Sequence, residues 1–218
     1  MNTTTDYLIK LYNKHYQKYG MTKEGLGWGK KDRSDIRFEI LTSSFHLDDA
    51  SILDVGSGFG DLFEFLTQKK VKNFSYTGLD INPTFATLSQ KKFPKGSFLT
   101  GDILDRKLTK KFDYVFASGI FNDKIPGAKE RTAKILTAIN SHAKKGFAVN
   151  FLSDAVDFRL PHTNHTNPGW AVNLSLTFSK NIVLRNDYMP FEFTIIVNKQ
   201  EKFRKQNAIF ETYVEVHA

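Results

Sequence analysis

The sequence predicts an α/β protein: a parallel sheet with helices on both faces. Three observations predict it. Short apolar runs alternate with helix-like segments between Ser51 and Phe151, the pattern of strand–helix–strand units. A glycine cluster, Gly56-Ser-Gly58-Phe-Gly60, directly follows the first apolar run. Acids stand at the ends of three successive runs, as Asp54, Asp80 and Asp102. The 218 residues make one domain the default, large enough to bury a core without disulfides or metal staples.

The elements follow in order. Residues 4 to 19 form a helix, with Tyr12, Tyr16 and Tyr19 at helical spacing on one face. Gly25-Leu26-Gly27-Trp28-Gly29 breaks it, and Asp32 or Ser34 caps a second helix running to about Phe45. Ser51 to Val55 is a strand, and Asp61 to Lys70 a helix. Phe74 to Leu79 is a strand ending at Asp80. Pro83 to Lys92 is a helix with proline in its first turn. Ser97 to Thr100 and Phe112 to Ala117 are strands, Glu130 to His142 a helix, and Phe147 to Phe151 a strand. Asp157 to Gly169 is a polar loop rich in His, Asn and Thr. Asn181 to Asp187 and Glu192 to Asn198 are β-like runs that pair as an antiparallel hairpin. Within Gln200 to Ala218, Ile209 to Val216 adds an edge strand. The domain reading is therefore a single domain over residues 1–199, whose first 46 residues form a helical lid, and a C-terminal extension over 200–218.

Composition excludes several classes. Hydrophobic residues are 40% and charged residues 25%, ordinary for a globular protein and unlike a disordered or fibrous chain. There is no cysteine, hence no disulfide framework, no Cys-based zinc site and no thiol nucleophile. The polar start, Met1 to Lys10, lacks the apolar run of a signal peptide. No stretch reaches the roughly 18 apolar residues of a spanning helix. The expectation is a soluble, cytoplasmic protein. The formal charge of +8 permits an anionic partner without demanding one.

The glycine loop carries the first functional signal. Glycines let the backbone approach a ligand closely, and a helix N-terminus offers free N–H groups. A plain tight turn is the competing reading. Asp80, 26 residues after Asp54, tips the balance, because a carboxylate there accepts from two ribose hydroxyls. Asp102 is placed to accept from an adenine amino group. All three acids would line the crevice where open α/β sheets bind ligands. The dinucleotide fingerprint spaces its third glycine three residues after the second; here the gap is two. Asp54 would repel a pyrophosphate but suits the ammonium of an amino acid. The ligand is thus expected to be S-adenosylmethionine (SAM) rather than NAD.

At these residues the sequence resembles the class I SAM-dependent methyltransferases. The matching pieces are Ile52-Leu-Asp54-Val-Gly56-Ser-Gly58-Phe-Gly60-Asp61-Leu62, Tyr76-Thr-Gly78-Leu-Asp80-Ile-Asn82-Pro83, Gly101-Asp102-Ile103-Leu104 and Phe112-Asp-Tyr-Val-Phe-Ala117-Ser-Gly119. Outer pieces, including Gly25-Leu-Gly-Trp28-Gly29, Arg37-Phe38, Asn150-Phe-Leu-Ser153 and Asp187-Tyr-Met-Pro-Phe-Glu-Phe193-Thr194, resemble a bacterial-type subgroup acting on small molecules. The resemblance implies a Rossmann-like, seven-stranded, mostly parallel sheet in which the last hairpin supplies the antiparallel strand. It implies that Gly56, Ser57 and Gly58 pack on the methionine part of SAM, with Asp54 and Asp61 beside them. Asp80 holds the ribose, Ile81 flanks the adenine, and Asp102 with Ile103 reads its edge. Ser118 and Gly119 sit beside the sulfonium. Arg37 pairs with the SAM carboxylate, against the alternative of a surface charge. Trp28 closes over cofactor or acceptor, against the alternative of a core aromatic.

Alignment of acceptor and methyl donor is worth roughly 7–11 kcal/mol, and a general base adds about 10²–10⁴-fold when the acceptor must lose a proton. Candidates past the fourth and fifth strands are Asn122, Asn150, Ser153, Asp154, Asp157, His162 and His165. Asn122, Asn150 and Ser153 are placed on the acceptor side. Asp157 and His162 are the favoured base candidates; a solvated loop is the competing reading for both. No metal site is expected. The leading function is methyl transfer to a small-molecule acceptor, by a monomer or homodimer with no membrane contact. An RNA methyltransferase is the rival suggested by the charge and by Lys69-Lys70, Lys91-Lys92, Lys110-Lys111 and Lys144-Lys145. Such scattered clusters are usually solvated faces. A non-catalytic SAM-binding module is the other rival.

Overall fold

A computed structural model describes residues 3–28 and 33–200. Gly29, Asp32 and the expected strand at Ile209 to Val216 lie outside the described residues. The chain runs α1 (Thr3–Tyr19), a single 3-10 turn (Glu24–Leu26), α2 (Ser34–Thr42), β1 (Ser51–Val55), α3 (Asp61–Gln68), β2 (Ser75–Asp80) and α4 (Pro83–Lys92). Then come β3 (Ser97–Thr100), β4 (Phe112–Ala117), α5 (Ala128–His142), β5 (Ala143–Leu152), α6 (Pro168–Leu176), β6 (Asn181–Arg185) and β7 (Glu192–Asn198).

The seven strands form one sheet in the order β3-β2-β1-β4-β5-β7-β6. β1 to β5 pair in parallel, and β7 alone runs antiparallel to both its neighbours. The hairpin therefore supplies the single reversed strand, as expected. Alternation along each central strand splits the core in two. Leu53, Val115, Phe147 and Val149 face Ile135, Leu136 and Ile139 of α5. Ile52, Tyr76, Tyr114 and Phe116 face Phe38 and Leu41 of α2 and Leu62, Phe65 and Leu66 of α3. Strands buried on both sides are the mark of a parallel sheet.

Helix starts follow local chemistry. Asn82 caps α4, its side chain accepting from the Thr84 N–H at 3.0 Å, and Asn167 caps α6, accepting from the Trp170 N–H at 2.9 Å. Each is followed by proline at the first helical position. The sequence reading ended its polar loop at Gly169 and gave α6 no element. Asn167-Pro168 repeats the start signal of Asn82-Pro83 and marks it. Of the three tyrosines on α1, Tyr12 and Tyr16 pack edge-on against Phe85, but Tyr19 is 42% exposed. Tyr19 is the last residue of α1 and lies beyond that core.

Candidate functional site

β1 has β2 on one side and β4 on the other, so the connections leave it in opposite directions. A crevice opens at such a switch point, outside the carboxyl ends of β1 and β4. The loop from Gly56 turns tightly there, with the Gly56 N–H bonded to the Leu79 carbonyl at 2.7 Å. Gly56 has φ +76°, and a Cβ on it would overlap Cγ2 of Ile120. A Cβ on Gly58, at φ +53°, would lie 3.0 Å from Leu26. The left-handed backbone favours glycine at both positions, and the space at Gly56 does so as well.

Asp80 ties this loop to β2. Its Oδ2 accepts from the Gly58 N–H and its Oδ1 from the Asn82 N–H, both at 2.8 Å. Burial pushes its carboxyl up to about 6, against the lowering effect of those two donors. Each oxygen keeps a further lone pair, so both remain able to accept from a vicinal diol. Asp54 is buried beneath the loop and accepts from the Tyr76 hydroxyl at 2.5 Å. Burial, with Asp80 and Asp61 nearby, raises its carboxyl to about 7. A cation beside it would relieve that penalty. Ser57 Oγ is buried without a hydrogen-bond partner among the described residues. Asp61 pairs with Lys23 at 2.9 Å.

Asp54, Gly56, Ser57, Gly58, Asp61 and Asp80 line one cleft together with Trp28, Ile81, Asp102, Ile103, Ser118 and Gly119. Every residue assigned to the cofactor from the sequence lies on it except Arg37. The Arg37 Nε donates to Glu192 Oε2 at 2.8 Å, its Nη2 pairs with Oε1, and its guanidinium stacks 4.6 Å from the Trp28 ring. A protein carboxylate from β7 thus already holds Arg37. Asp102 is also engaged. Its Oδ2 takes the Thr5 hydroxyl at 2.9 Å and the Arg131 guanidinium, and its Oδ1 takes the Leu104 N–H at 3.0 Å. Thr5 reaches it because α1 lies across the cleft.

A second cavity adjoins the first. Asn122, Asp157 and His162 line it, and the last two are exposed. Asn150 and Ser153 do not. Asn150 is buried and braces the turn after β4: its Oδ1 accepts from the Gly119 N–H at 2.8 Å, and its Nδ2 donates to Ser118 Oγ at 3.2 Å. Ser153 is buried and accepts from the Ala155 N–H at 3.1 Å. His165 is held between Ser153 O at 2.6 Å and Thr163 Oγ1 at 3.0 Å. Sequence reasoning missed Tyr12 as a site residue and missed Asp123, whose Oδ2 accepts from the Tyr12 hydroxyl at 2.7 Å. The available signal was an acid close after the Ser118-Gly119 turn, where the neighbouring Asn122 drew attention instead. Among the described residues, no helix is long and apolar enough to cross a membrane.

A family model described as "Methyltransferase domain" matches residues 52–153. A Mycobacterium tuberculosis protein, Rv1506c, named as a candidate methyltransferase, is 32% identical over 160 residues, covering 70% of this chain and 95% of its own. The magnesium protoporphyrin IX methyltransferase of Synechocystis PCC 6803, solved with S-adenosylhomocysteine (SAH), superposes with a TM-score of 0.65 at 14% identity, over 90% of this chain and 98% of that one. A TehB-like SAM-dependent methyltransferase of Corynebacterium glutamicum gives 0.56 at 15% identity, over 89% and 100%. These two structures share the fold.

Proposed function

Because the chain belongs to the class I SAM-dependent methyltransferases, we propose that its methyl acceptor is a small molecule held in the cavity beside the cofactor cleft. SAM, when bound, supplies a methyl group activated on a sulfonium. The cleft fits it. Two glycines in left-handed backbone, the orphaned Ser57 hydroxyl and two buried carboxylates pushed upward by burial form a cradle suited to a cation and a diol. We assign the ribose hydroxyls to Asp80 and the amino-acid ammonium to the side of Asp54. Ile81 and Ile103 give the adenine apolar walls. Asn150, by bracing Ser118 and Gly119, fixes the backbone on which the reacting groups align.

The observation that carries the small-molecule reading is the shape and lining of the second cavity. Trp28, Leu11, Phe158, Leu160 and Phe191 give it apolar and aromatic walls, as a small-molecule site has. The lysine pairs that suggest RNA precede β2, β3, β4 or open β5. They therefore stand at the amino ends of the strands, opposite the cleft. Three of those lysines are also neutralised, by Glu39, Glu64 and Asp113.

The test is methyl-labelled SAM incubated with the pure protein and a fractionated cell extract. Label in the small-molecule pool is expected, and mass spectrometry then names the acceptor. Label confined to RNA or DNA and abolished by nuclease would overturn the reading.

A further inference from the structure

The cofactor cleft and the acceptor cavity share five lining residues: Tyr12, Leu26, Trp28, Gly119 and Asp123. A methyl group passing from one ligand to the other has to cross where the two spaces meet. Of the five, Tyr12 and Asp123 alone carry titratable side chains. Asp157 and His162 border the acceptor cavity but not the cleft.

We propose that Asp123 is the proton acceptor of methyl transfer, aimed by Tyr12, and that the acceptor group is a hydroxyl or an amine. The inference rests on the small-molecule reading above. The Tyr12 hydroxyl occupies Oδ2 at 2.7 Å, and among the described residues it is the hydrogen-bond donor to that carboxylate. Oδ1 is left to face the substrate. The acceptor's oxygen or nitrogen lone pair forms the new bond to the methyl carbon. The carbon–sulfur bond breaks with its pair remaining on sulfur, and the proton released from the heteroatom passes to Asp123. Tyr12 cannot take that proton role itself, because burial and the Asp123 charge drive its hydroxyl well above its usual range. It stays protonated and donates.

The surroundings suit a base. Burial raises the Asp123 carboxyl, and the Tyr12 hydrogen bond, His15 of α1 and His162 of the polar loop lower it. The balance leaves the carboxyl raised, so Asp123 is more basic than a surface aspartate. Its backbone is pinned by a bridge to Thr163, and the Lys124 N–H bonds the His162 carbonyl at 3.1 Å. The acid is thus fixed from both sides.

The first test is binding. SAH has no methyl; sinefungin carries an amine-bearing carbon in place of the methylated sulfur. Calorimetric titration of both into the wild type and Asp123→Asn is expected to show sinefungin affinity falling at least about tenfold in the variant, a loss of about 1.4 kcal/mol. SAH affinity should change less than about threefold. An equal change for both ligands, or none for sinefungin, overturns the proposal. The second test follows labelled methyl into whichever extract pool the wild type labels. Asp123→Asn should lower the rate by about 10²-fold or more, and Asp123→Glu should restore part of it. In the wild type the rate should fall on the acid side as Asp123 protonates. A variant that transfers methyl normally also sinks the assignment. Label in RNA that disappears in Asp123→Asn would keep Asp123 and remove the small-molecule reading, so the two failures are distinguishable.

Discussion

Asp54 and Asp80 are acids held where an acid is costly. Their carboxyls rise to about 7 and about 6, above the ordinary value of about 3.9. The folded state therefore binds these protons more tightly than the unfolded chain. Their stabilisation is complete below about pH 3.9 and is lost as pH rises through the folded values. Asp54→Asn keeps an acceptor for the Tyr76 hydroxyl and removes the charge. Its melting temperature should exceed the wild type's by at least about 2 °C at pH 8 and match it near pH 4. The same offset at both pH values would refute the linkage. Ligand binding reads the same group from the other side. An ammonium placed by Asp54 lowers its carboxyl, so binding SAH near pH 6.5 should release protons. Titrations in two buffers of different ionisation enthalpy measure that release, which Asp54→Asn should abolish. At the loop, Gly56→Ala forces a side chain into left-handed backbone, at roughly 1–2 kcal/mol, and into Ile120. It should lose SAH binding while the protein remains folded by circular dichroism. Retained affinity would show that the loop has room to spare.

α1 shows at the scale of an element how far the sequence could be read. Its helical span and its Tyr12–Tyr16 face were legible from spacing alone. Its position was not, because polar contacts with residues far along the chain hold it. Thr5 donates to Asp102 across 97 residues, Tyr12 to Asp123 across 111, and Asn82 donates to Asn13 across 69. The Arg37–Glu192 pair was hidden for the same reason, since its partners lie 155 residues apart. The glycine loop and the strand-end acids were legible because their chemistry is local to one strand–turn–helix unit. Within α1 the buried apolar side chain is Leu8, so the polar ties add to its packing and to that of Tyr12 and Tyr16 on Phe85. Each tie is worth roughly 0.5–1.5 kcal/mol net. The double variant Thr5→Val with Tyr12→Phe should therefore speed hydrogen exchange in α1 by at least about tenfold. Amides of β1 and β4 should keep their protection. Uniform loosening of helix and sheet together would show that α1 is part of the core rather than a cover hinged on it.

For the whole molecule, charge and catalysis are segregated by the direction of the parallel strands. The cleft lies at the carboxyl ends of β1 and β4, and the lysine pairs lie at the amino ends. A six-residue strand such as β4 spans about 20 Å at roughly 3.3 Å per residue. That is about twice the screening length of roughly 8 Å at physiological salt. The lysines therefore exert little field on the cleft, and they contribute to the net +8 from the far edge. Lys70, Lys91, Lys111 and Lys144 are all exposed there. Replacing the four with glutamine removes half of the net positive charge, yet SAH affinity at 0.15 M salt should stay within about twofold. Methyl transfer to the small-molecule pool should likewise persist. Weak RNA binding, if the wild type shows any, should fall in this variant and lose much of its salt dependence, since each phosphate contact removed lowers the slope by roughly 0.7–0.9. A quadruple variant that kept SAH binding but lost methyl transfer would place the acceptor on the lysine edge, and the separation of charge from chemistry argued from the sheet would fail.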